Sequence, residues 1–80
     1  MQETKLAYLL TRIGMDPDKR TEMCRALGIS ERTFYLRRNS PGSLTLDEAA
    51  SLNTYLERTT GQPQDVFKLY QEKVDLSVNA

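Results

Sequence analysis

Arg32, Arg37 and Arg38 stand with Phe34 and Tyr35 in the stretch Leu27-Gly-Ile-Ser-Glu-Arg-Thr-Phe-Tyr-Leu-Arg-Arg38, and of all the residues in the chain these are best suited to chemistry. A guanidinium is planar, permanently charged and carries five donors in a fork, which matches phosphate oxygens or the paired acceptors on a guanine edge. Beside it, a leucine or a tyrosine ring can meet an apolar group such as a thymine methyl. This is the chemistry of recognition rather than of bond making.

The rest of the composition points the same way. The 80 residues hold no histidine and one cysteine, Cys24. A lone thiol cannot close an internal disulfide, and with no imidazole there is no zinc-type donor set. General acid–base catalysis relies on histidine or on paired carboxylates in a pocket; neither is visible, nor is a Gly-rich phosphate loop or an internal repeat. The expectation is a non-enzyme with no catalytic residue, metal or cofactor, in which Cys24 is a small packing residue. A domain this short buries about 60% of its unfolded surface and has little room for a cleft. No apolar run approaches the roughly 20 residues that cross a bilayer, and the opening MQETKLAYLL lacks the order of a signal peptide. No helical pattern is basic on one face and apolar on the other over enough length to lie on a membrane. A globular, cytoplasmic chain with no membrane partner is therefore expected.

Five helices would position the arginines, and no segment shows convincing strand alternation. Leu6, Leu9, Leu10 and Ile13 form an amphipathic stripe from Gln2 to Ile13, ended by Gly14. Asp16 caps a second helix over Pro17 to Leu27, with Met23, Cys24, Ala26 and Leu27 inward and Lys19, Arg20, Glu22 and Arg25 outward. Gly28 stops it, and Ser30 caps a third helix from Glu31 to Arg38, closed by Asn39-Ser-Pro-Gly-Ser. Thr45 to Glu48 reads as a capping box, starting a fourth helix that buries Leu46, Ala49, Leu52, Tyr55 and Leu56 and stops at Gly61. Pro63 opens a fifth, whose Val66, Phe67 and Tyr70 read more readily as core than as interface. The expected organisation is all-α: one compact domain over residues 1–74 and a loose tail over 75–80.

A helix, a glycine turn and a short helix make a helix-turn-helix. At about 100° per residue, Phe34 facing the core leaves Arg32 and Leu36 on the far side with Tyr35 beside them, free to touch a ligand. Charge supports the same surface. Pro17 to Ser40 carries six basic residues against three acidic ones, a net of plus three, and the remainder carries five against eight, a net of minus three. The formal net charge of +0 thus conceals a dipolar domain whose positive end is the proposed reading element.

On Met23-Cys-Arg-Ala-Leu-Gly-Ile-Ser-Glu-Arg-Thr-Phe-Tyr and Leu44-Thr-Leu-Asp-Glu, the chain resembles the lambda-repressor-like, Cro/C1-type helix-turn-helix proteins of bacteria and phages, over roughly Asp18 to Phe67. The resemblance implies a five-helix domain whose third helix reads the major groove of double-stranded DNA, often as a homodimer on two half-sites, and a role as a transcriptional regulator. It places groove contacts on Ser30, Glu31, Arg32, Tyr35 and Leu36, with Arg37, Arg38 and Asn39 near phosphates. Arg20 is divided between a phosphate contact and an ordinary solvated charge. Arg37 departs from the family, which usually has an apolar residue three after the equivalent of Phe34, so its stem must lie along the core with its head outward. The alternative is a protein-protein module, antitoxin-like or a regulatory adaptor, that uses Tyr35 and Leu36 against a protein partner. Glu31 leans toward that alternative, because a carboxylate near phosphates is unfavourable unless it pairs with Arg32, Arg38 or a cytosine amine.

Overall fold

The computed structural model describes residues 2–75. Five α-helices and two short strands follow in the order β1 (Gln2–Thr4), α1 (Lys5–Gly14), α2 (Pro17–Leu27), α3 (Glu31–Asn39), α4 (Leu46–Thr60), α5 (Val66–Gln71) and β2 (Lys73–Asp75), with a 3₁₀ turn at Pro41–Ser43 between α3 and α4. The helical class is as expected. None of these helices is long and apolar enough to cross a membrane.

Local caps set most of the boundaries. The Asp16 carboxylate accepts from the amides of Asp18 and Lys19, and Pro17 fills the first turn of α2, where a missing N–H costs nothing. Ser30 Oγ accepts from the Thr33 amide to start α3. At the head of α4 both halves of the capping box are made, Glu48 N to Thr45 Oγ1 at 3.1 Å and Thr45 N to Glu48 Oε1 at 3.1 Å. Gly61 ends α4 at a φ of 76°, in the left-handed region where a side chain would be strained.

The core gathers Leu6, Leu10 and Ile13 from α1, Met23 and Cys24 from α2, Phe34 from α3, Ala49, Leu52, Tyr55 and Leu56 from α4, and Val66 from α5. Cys24 packs there, and burial pushes its thiol up from its ordinary value, which suits an unreactive side chain.

Five expectations need correction. Gln2 to Thr4 is not the start of the first helix: it pairs antiparallel with Lys73 to Asp75, Glu3 opposite Val74, and Thr4 Oγ1 then caps α1 by accepting from the Ala7 amide. Three residues are too few to show alternation, and the partner strand lies at the other end of the chain. Asp75, expected to open a loose tail, belongs to β2; the rest of that tail, 76–80, lies outside the described residues. Leu46 is 76% exposed, and Leu44 packs on the core in its place. Phe67 and Tyr70 are 61% and 46% exposed, because α5 turns Val66 and Leu69, three apart, toward the core and so leaves the adjacent stripe outside. That helix also begins at Val66 rather than at Pro63: the Asp65 carboxylate accepts from the Phe67 amide, and Asn53 Oδ1 of α4 accepts from the Val66 amide at 2.8 Å.

Candidate nucleic-acid interface

Three residues, Gly28 to Ser30, separate α2 from α3. Gly28 takes a φ of 69°. Its amide donates to the Arg25 carbonyl and the Ile29 amide to the Cys24 carbonyl at 3.0 Å, so two carbonyls of the last turn of α2 are satisfied as the chain reverses. Ile29 then packs partly against the core. Phe34 is fully buried, and this fixes the rotation of α3 about its axis.

Gly14 contributes in a way the sequence did not show. It is the last residue of α1 rather than a stop, since Met15 closes the helix. A Cβ on Gly14 would lie 3.1 Å from Phe34 Cε2 and 3.7 Å from Arg38 Cδ, so the missing side chain lets α1 and α3 approach.

With Phe34 inside, Arg32 and Leu36 lie outside, Leu36 at 55% exposure, and Ser30, Glu31 and Asn39 are exposed with them. Tyr35 is not free as expected. It is half-buried, edge-on to Phe34 at 5.5 Å between ring centroids, with the Arg38 guanidinium 4.7 Å and the Arg20 guanidinium 5.8 Å from its own centroid. Arg38 also donates from Nε and Nη2 to Asn39 Oδ1, at 3.4 and 3.3 Å.

Two arginines are committed inside the protein. Arg20 Nε donates to Glu31 Oε1 at 2.6 Å and Nη1 to the Gly14 carbonyl at 2.9 Å, which ties α2 to α3 and to the end of α1. Arg20 is thus not a plain solvated charge, since its Nε and Nη1 are engaged within the protein. Glu31 is paired by it, not by Arg32 or Arg38. Arg37 also departs from the expectation that its head points outward to phosphate. Its Nε reaches Glu48 Oε1 at 2.8 Å and its Nη2 reaches Oε2 at 3.2 Å, because the capping box has already placed that carboxylate at the start of α4. Both guanidinium groups are raised above their ordinary values by these carboxylate hydrogen bonds, and Glu48 is held below the usual carboxylate range by Arg37.

The outward face is therefore Arg32, Leu36 and Asn39 at the centre, with Glu31, Tyr35 and Arg38 along one side. Among the described residues, the ion pairs are Arg20 with Glu31, Arg37 with Glu48 and Lys5 with Glu72, so Arg32 and Arg38 keep unpaired charge. Sequence reasoning missed the partner of each committed arginine. The only signal was that both pairs join opposite charges 11 residues apart across a helix junction. Compared with models of known protein families, with curated proteins and with solved structures, the chain matches none.

Proposed function

We propose that this chain is a sequence-specific DNA-binding transcriptional regulator on a lambda-repressor-like helix-turn-helix, which acts in the cytoplasm and places α3 in the major groove of double-stranded DNA. One observation carries the reading. Phe34 is buried at 0% exposure while Arg32, Leu36 and Asn39 stay open on the opposite face, uncovered by any other described element. A short helix held in this way offers a rigid row of side chains that fits a groove about 12 Å wide. Arg32 is the base reader and Arg38 the phosphate contact. A homodimer on two half-sites would compensate for the modest basic excess.

The test is a salt series of binding to mixed-sequence duplex. Each phosphate neutralised steepens the plot of log affinity against log salt by about 0.9, so phosphate contacts from Arg38 and one or two neighbours predict a slope of roughly −2 to −3 per protomer. Absence of binding even at low salt would exclude the proposal.

A second reading, a protein-protein module, is favoured by the exposure of Leu46, Phe67 and Tyr70, which converge on one apolar groove floored by Leu6, Ala49 and Val66. It predicts no duplex binding at any salt concentration.

A further inference from the structure

We infer that Glu31 determines specificity by accepting a hydrogen bond from the exocyclic amine of a cytosine, and that Arg20 is the residue that positions it; this rests on the DNA-binding reading above. Glu31 is the first residue of α3, and the leading residues of a reading helix are the ones that approach base edges. An ionised carboxylate so close to phosphates is repelled unless its charge is balanced nearby, and Arg20 balances it at 2.6 Å.

The balance uses only one oxygen. Glu31 Oε2 accepts no hydrogen bond among the described residues, and the side chain is 57% exposed while Arg20 is 20% exposed. Arg20 is itself held, by the Gly14 carbonyl and by its position over the Tyr35 ring, so contacts from α1 and α2 fix the carboxylate before any DNA arrives. The second carboxylate oxygen is left to a donor from outside the protein.

Base chemistry then selects the ligand. In the major groove guanine presents acceptors and thymine an acceptor and a methyl group, neither of which a carboxylate can use as an acceptor of hydrogen bonds. Adenine has an amine, but its N7 acceptor lies beside it and faces an oxygen with no proton to give. Cytosine offers its N4 amine without a neighbouring acceptor on the same base. Arg32, the next residue, favours guanine, so the half-site should contain a cytosine close to a guanine.

The experiment is selection of duplexes from a random pool by the full chain and by Glu31→Gln, Glu31→Ala and Arg20→Met, with helical circular dichroism and melting followed for each. The unaltered chain should prefer cytosine at one position by roughly tenfold. Glu31→Gln, which still offers Arg20 a carbonyl oxygen, should move that position to adenine and leave the others unchanged, because a carboxamide both accepts from N6 and donates to N7. Glu31→Ala should level the position, and Arg20→Met should blur it with Glu31 still in place. A consensus identical in all four proteins overturns the inference while leaving the DNA reading intact. An unaltered chain that binds no duplex at low salt overturns both.

Discussion

On the proposed reading, Arg32 and Arg38 divide between base and phosphate, and their surroundings separate the outcomes of removing them. Arg32 is exposed and makes no ion pair among the described residues, so Arg32→Ala should leave melting unchanged. It should cost about 1–3 kcal/mol on the selected sequence and relax the choice of base at one position. Arg38→Ala should weaken selected and random duplexes alike and flatten the salt slope by about one unit. Because Arg38 also covers Tyr35 at 4.7 Å, that variant should show a small loss of stability as well. Equal losses on selected and random DNA for both variants would remove Arg32 as a base reader. Gly14→Ala tests a different feature: the new methyl would meet a fully buried ring at 3.1 Å, which should offset the gain of about 1 kcal/mol that alanine brings within a helix, read as a urea midpoint that does not rise.

At the scale of elements, α3 is secured at both ends by carboxylates that serve neighbouring helices. Glu48 closes the capping box of α4 and grips Arg37 at the far end of α3. Thr45→Ala removes one cap hydrogen bond and should destabilise the domain by about 1 kcal/mol. The ion pair carries a pH signature. Glu48 lies below its ordinary value of 4.5, chiefly because of the Arg37 hydrogen bond and, to a lesser degree, the Thr45 amide, against the opposing effect of burial. The unfolded chain takes up this proton first as the solution is acidified. The contribution is therefore complete above about 4.5, begins to fade there and is gone once pH falls below the lowered folded value. Glu48→Gln should lower the urea midpoint at pH 7, and its deficit relative to the unaltered chain should shrink toward pH 3. A deficit that is the same at both pH values would mean that the carboxylate charge contributes nothing.

For the whole molecule, size decides which experiments can be interpreted. Eighty residues correspond to about 4–12 kcal/mol of total stability at the usual share per residue. Phe34→Ala should cost about 3–5 kcal/mol, a large part of that total, and so abolish binding by unfolding the domain. Phe34→Leu retains most of the buried volume and should keep the far-ultraviolet signal while loosening the fixed rotation of α3, which makes it the informative variant for binding. The two ends of the chain are joined by β1 and β2 and by the Lys5–Glu72 ion pair at 3.2 Å. This clasp holds α5 against α1 and leaves the α2–α3 side of the molecule to its own caps.

The sequence by itself determined the helical class, both ends of α2, the starts of α3 and α4 and the burial of Phe34, and it ended α3 one residue short, at Arg38 rather than Asn39. Caps, helix-ending glycines and apolar periodicity act within about four residues, so Asp16, Gly28, Ser30 and the Thr45–Glu48 box carry their meaning locally. The outward position of Arg32 and Leu36 followed from helix geometry once Phe34 was inside. Only the tertiary structure decided the strand pair, the start of α5 and the fate of the charges. Thr4 finds Lys73, Val66 borrows a cap from Asn53, Arg20 chooses Glu31 and Arg37 chooses Glu48, each across a separation that no local pattern encodes. A guanidinium's partner depends on which carboxylate the packed helices bring within about 3 Å, so two of the six basic residues in one stretch of sequence are committed inside the protein, and of the three arginines on α3 only Arg32 and Arg38 stay open.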